Sequence, residues 1–201
     1  MSNFSKGFLF AVLCFMPTIA LAHSPIEGIG DFFNGMLHPL LVPAQILAIL
    51  ALGLFLGQHS INKHKTTVLL FLGATIAGLV ATLFEFDAAA QLSMLSLISA
   101  VVIGLLIVIG VKIHWSLFLV LGITVGFIVG MDSSAELPSR KAQIVSLFGS
   151  GVGIYFLLLY AMAISESFSV KHWQTIAVRV VASWVSASAL MVLALSFSNK
   201  F

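Results

Sequence analysis

Residues His38 to Gln58 read HPLLVPAQILAILALGLFLGQ. A histidine and two prolines open the stretch, and from Ile46 to Leu56 an apolar run follows that is interrupted only by small residues. A helix that is hydrophobic all round offers no face to water, so it belongs in a membrane or in the middle of a bundle. We expect it to be the first membrane span, with the other apolar segments packed around it.

Composition agrees. The 201 residues are 60% hydrophobic and 8% charged, with a mean hydropathy of +1.16, against about 45–50% apolar and about 25% charged in soluble domains. At about 20 residues per transmembrane helix, the chain has room for several spans and no sizeable soluble domain. A net charge of +2 from scattered residues does not make a nucleic-acid surface. Cys14 is the single cysteine, which excludes a disulfide framework.

The beginning of the chain has the pattern of a secretory signal peptide. Lys6 precedes an apolar run from Phe8 to Met16, and Ala20-Leu21-Ala22 supplies a small-x-small end. Residues 1–22 are therefore expected to be removed, leaving a mature chain that starts at His23; an uncleaved signal anchor is the alternative. Residues 23–37 mix acids, glycines and aromatics and are expected at the outer surface.

Beyond the first span, apolar runs predict helices over Thr66 to Phe84, Leu92 to Val111, Trp115 to Met131, Ile144 to Ile164 and Trp173 to Phe197. Backbone groups in hydrocarbon must be satisfied within each segment, and runs this long are too long for barrel strands. The expected fold is thus all-α: six transmembrane helices in one bundle over residues 23–201. With the mature N-terminus outside, Lys63, Lys65, Lys112, Lys171 and Arg179 fall on the cytoplasmic side, as lysine and arginine prefer. Glu27, Asp31, Glu85, Asp87, Asp132 and Glu136 then fall outside, as loop acids or as carboxylates that attract cations.

Gly122, Gly126 and Gly130 recur every four residues, which predicts a face of close helix approach; Gly73 with Ala77 suggests a second, and Gly149, Gly151 and Gly153 a third or a local irregularity. Trp115 and Trp173 stand at span ends as interface anchors. Arg179 is close enough to the inner surface to snorkel.

Motifs of soluble enzymes are absent, and the spans are nearly bare of ionisable groups, so no catalytic constellation is expected. The chemistry that remains is an outer-face metal site. His38 opens the first span, and Pro43 one turn on is placed to bend the backbone there. His23, as a new N-terminus, would offer an imidazole and an α-amine together. Nitrogen donors of this kind suit nickel, copper or zinc, with Glu27, Asp31 or Glu136 as oxygen donors. His59, His64, His114 and His172 fall on the other side and read as interface histidines beside lysines.

His38-Pro39-Leu40, followed by Ala51-Leu52-Gly53-Leu54-Phe55, resembles the HupE/UreJ family of hydrogenase and urease accessory membrane proteins, whose first span reads roughly H-P-L-x-G-x-D-H-x-L-A-M before an A-V-G-L-W-like run. The signal peptide, His23, six spans and Glu136-Leu137-Pro138 match the family layout. Ala44 and Gln45 stand where the family has its Asp-His pair, the histidines expected between Gly126 and Ser134 are missing, and the fifth-span histidine is replaced by Tyr160.

The resemblance implies a multi-pass inner-membrane protein, not an enzyme, that assists nickel or cobalt uptake or supply to a metalloenzyme partner. His23, His38 and Glu136 are the metal residues carried over. The alternative is a non-transporting assembly or structural partner of a membrane complex that has lost the site.

Overall fold

A computed structural model describes residues 28–84, 89–110, 113–133, 137, 139–169 and 171–198. The proposed signal peptide, His23 and Glu136 lie outside these. Among the described residues the secondary structure is helical, without strands. Seven α-helices follow one another: α1 (Gly30–Leu41), α2 (Pro43–Gly57), α3 (Lys65–Ala81), α4 (Ala89–Ile109), α5 (Trp115–Met131), α6 (Arg140–Ser167) and α7 (His172–Ser198). Short 3-10 turns precede and follow α3, at Ile61–His64 and Thr82–Phe84.

Among the described residues, four helical stretches are long and apolar enough to cross a membrane: Ile61–Phe84, Ala90–Ile109, Arg140–Ser167 and His172–Ser198. The pair α1 and α2 makes a fifth if the two are one bent span. At 17 residues, α5 rises about 26 Å, just under the hydrocarbon thickness of about 30 Å.

The bend expected at Pro43 is a full break in the stretch from His38 to Gln58. The chain breaks at Val42, which is extended (φ −90°, ψ 110°), and α1 meets α2 at 72°. Proline chemistry accounts for the break. Pro43 disfavours helical backbone at the residue before it, and is itself suited to the first position of the new helix. Residues 30–37 form most of α1, which packs along α6.

Two details seat α1. Pro39 has no N–H to give the Gly35 carbonyl, and Ser150 of α6 donates its hydroxyl to that carbonyl at 3.0 Å. Gly35, Gly149 and Gly153 let the backbones approach so closely that a Cβ on any of them would strike the opposite main chain. Gly151 points the other way, towards Leu79.

The apolar run of α2 becomes the centre of the bundle. Ala48, Ala51, Leu52 and Leu56 are wholly buried, enclosed chiefly by α4, α6 and α7. Gly53 and Gly57 bring α2 against α6, and Ser165 donates to the Leu54 carbonyl at 2.8 Å.

The glycine row of α5 behaves as expected. Gly122, Gly126 and Gly130 sit on the Thr67, Phe71 and Thr75 backbone of α3. The partner face is not Gly73 with Ala77: Gly73 has open space around it, and Gly78 makes the close approach instead. On the outside of the bundle, Trp115, Trp173, Phe148, Phe156 and Tyr160 are exposed, as lipid-facing side chains should be.

Candidate functional site

The break at Val42 gathers polar groups where they are not expected. His38 lies in the last turn of α1 and Gln45 in the first turn of α2, so the 72° bend turns both towards one place. Gln45 is the only side chain between Pro43 and Gln58 that can form strong hydrogen bonds, and it is fully buried. Its amide nitrogen donates to the Asp132 main-chain carbonyl at 2.9 Å and to Asp132 Oδ2 at 3.1 Å, and lies 3.4 Å from His38 Nε2. Ser93, near the start of α4, donates to the other carboxylate oxygen, Oδ1, at 2.9 Å. Four helices thus converge on one cluster.

Asp132 is not a solvated loop acid, one of the two readings that its place in the sequence leaves open. It caps the C-terminal end of α5 and is only 9% exposed. A carboxylate in that position is out of water and against the negative end of the helix dipole, so it persists only with donors or a cation beside it. Gln45 and Ser93 are two such donors. Next to it, Ser133 is buried and bonds back to Val129.

One polar atom in the cluster is left over. Gln45 Oε1 is buried and has no hydrogen-bond partner. The amide orientation is set by its neighbours, because turning it would put Oε1 against two oxygens of Asp132. Ser96, one turn along α4 from Ser93, also buries its hydroxyl without a partner. Unsatisfied polar atoms are uncommon inside proteins, and Gln45 Oε1, on the side chain that meets the Asp132 carboxylate and the His38 imidazole, is an atom able to take a cation or an ordered water.

Of the three metal residues carried over from the family, His23, His38 and Glu136, the described residues include His38, which lies with Gln45 and Asp132. Among the described residues no group of three or more His, Cys, Asp or Glu is arranged to hold a metal ion. Asp31 stands exposed in the first turn of α1. Sequence reasoning missed Gln45, Ser93 and Asp132 as a group, though one signal was there: a lone amide in an otherwise apolar run.

The opposite end of α2 holds a second polar region. From Gln45 to Gln58 is 13 residues, or about 20 Å of helix. There His59 and His64 pack their rings on Phe118 of α5, with centroids 5.0 and 4.4 Å away. Glu166 of α6 accepts from the Ser60 hydroxyl and the Ile61 N–H, at 3.0 and 3.2 Å, and so ties the turn after α2 to α6. Arg179 lies over Gly110, whose positive φ of 69° ends α4.

A bundle of long apolar helices around a buried span, with a polar cluster at a proline break, defines a multi-pass α-helical membrane protein. The family it belongs to is shown by sequence: residues 11–193 match the HupE / UreJ protein family, and the chain is a member. Membership associates it with hydrogenase and urease accessory roles. No curated protein and no solved structure is significantly similar to it.

Proposed function

We propose that this protein is an inner-membrane accessory protein, not an enzyme, that hands a divalent metal, nickel or cobalt, towards a metalloenzyme. In this reading the bent α1–α2 pair and the five helices α3 to α7 make six spans, and the mature chain begins at His23 after signal cleavage. The N-terminus is outside, which puts the lysines around α3 and α7 inside, as the positive-inside preference favours.

The observation that carries the reading is the buried contact of Gln45 with Asp132, 87 residues apart, beside His38. An imidazole, a carboxylate and an amide oxygen form a mixed nitrogen and oxygen donor set of the kind borderline divalent metals accept. Gln45 stands at the position where the family motif has histidine. For metal to bind, its side chain must turn so that the unpartnered Oε1, rather than the amide N–H groups, faces the cation. His23 and Glu136 are the additional ligands we assign from the family layout.

A second reading has its own support in the same geometry. The Gln45 amide nitrogen occupies lone pairs of Asp132 and sits beside His38, so it acts as a plug where a cation would lie. On this reading the protein keeps the scaffold as a structural or assembly partner and no longer carries metal.

Calorimetry with nickel on the purified full chain separates the two. The metal reading expects binding at neutral pH, weakened at least tenfold by His38→Ala, strengthened by Gln45→His and untouched by replacing the exposed His172 (on the order of one ligand's contribution to a metal site). If the parent chain binds no nickel or cobalt while Gln45→His does, the structural reading stands and the metal reading falls.

A further inference from the structure

At the end of the bundle away from His38, a cavity of about 600 Å³ opens between the α2–α3 turn and the start of α5. Its polar lining consists of Gln58, His59, Ser60, Lys63, His64, Thr66 and Thr67, and none of the described Asp or Glu residues lines it. Phe118, Leu119, Ile113 and Trp115 form an apolar wall.

Three features give it the character of a binding site rather than a surface dent. His64 is only 7% exposed, yet it makes no hydrogen bond among the described residues and its ring borders the cavity. Gln58 Nε2 is a buried donor with no acceptor. His59 Nδ1 lies 3.0 Å from the Phe55 carbonyl, which can only accept; that nitrogen therefore carries a proton and directs Nε2 elsewhere.

The charge on the described cavity lining is positive. Lys63 lines it, Lys65 begins the next helix, and the neighbouring acid, Glu166, does not line it and has Oε1 engaged by Ser60 and Ile61. A donor-rich pocket without carboxylates suits an oxyanion and disfavours a bare cation. The apolar wall suits a ligand whose other end is greasy.

We propose that this cavity binds a phosphate oxyanion, carried on the headgroup of an anionic phospholipid whose first acyl carbons rest on Leu119 and the exposed Trp115. Lys63 supplies the charge and Gln58, His64 and Thr66 supply neutral donors. Basic pockets between membrane helices take anionic headgroups for these reasons. The cavity lies at the far end of α2 from the His38 cluster and does not depend on metal handling.

Native mass spectrometry of the full chain, released from mixed phosphatidylglycerol and phosphatidylcholine micelles, tests the assignment, with inorganic phosphate as competitor. Wild type should retain phosphatidylglycerol over phosphatidylcholine, and Lys63→Ala should weaken that retention about fivefold, the worth of one lysine near an anionic surface. Lys141→Ala, at the start of α6, should change nothing. His64→Gln should weaken retention too, and thermal melting checks its fold; Lys63 is exposed, so its replacement leaves the core alone. Displacement of lipid by inorganic phosphate, with direct phosphate binding that Lys63→Ala removes, would keep the oxyanion site and identify free phosphate as the source. Equal retention of both lipids without phosphate binding, or retention indifferent to both variants, overturns the proposal. So does nickel binding that His64→Gln abolishes and Lys63→Ala leaves intact.

Discussion

Replacing Gln45 by Leu tests whether the buried polar cluster holds the bundle together. The two side chains are close in size, so packing around this fully buried position is largely kept and the polar contacts are what is lost. Gln45→Leu removes one bond to a carboxylate, about 1.5–3 kcal/mol, and one to a neutral carbonyl, about 1 kcal/mol. It also removes an orphan oxygen whose burial costs about 1–3 kcal/mol. The net expectation is a loss of about 1–2 kcal/mol. Asp132→Ala removes the other partner, and the Gln45→Leu/Asp132→Ala pair completes a double-mutant cycle. Neutral interhelical hydrogen bonds in membranes average about 0.6 and reach about 1.7 kcal/mol. A charged, buried acceptor should put this pair near the top of that range, about 1.5 kcal/mol, or roughly tenfold in the unfolding equilibrium. Reversible unfolding in mixed detergent and SDS micelles, followed by the fluorescence of the three tryptophans, supplies the four stabilities. An additive cycle, or a Gln45→Leu protein as stable as the parent, would refute the reasoning.

Two further outcomes follow from packing and from charge. In the same assay Gly126→Leu should destabilise by more than about 2 kcal/mol, since overpacking at a tight contact costs about 1–3 kcal/mol and here the obstacle is the Phe71 backbone; Gly73→Ala, with open space around it, should be within about 0.5 kcal/mol of the parent. With Cys14 replaced, a membrane-impermeant thiol reagent applied to intact cells should label Asp87→Cys and spare Lys65→Cys, and the reverse pattern would overturn the outside placement of the N-terminus.

Much of the architecture could be read from apolar runs, because hydrocarbon imposes one rule on every segment: the backbone must satisfy itself. The helix Trp115–Met131 lies where the sequence puts it, and α3, α4, α6 and α7 differ from the expected spans only by a few residues at their ends. The four-residue glycine spacing of α5 was also legible, since spacing alone decides that Gly122, Gly126 and Gly130 share a face. Its partner face was not. Gly73 and Ala77 have the right spacing too, and only the rotation of α3 against α5 turns Gly78 inward and leaves Gly73 open.

The candidate site shows the same division more sharply. Sequence determined that His38 and two prolines open an apolar span, and that Gln45 is an amide stranded in it. It could not show that Asp132, 87 residues later and beside an expected loop, folds back under Gln45, or that Ser93 meets it from a third direction. Local rules read a carboxylate after a span as solvated, because nothing nearby in sequence can pair with it. Partners that come from other helices are set by how the helices pack, and the 72° break at Val42 is what brings these together. The histidines after α2 follow the same logic: beside lysines in sequence they read as separate interface residues, and only the approach of Phe118 from α5 gathers His59 and His64 around one cavity.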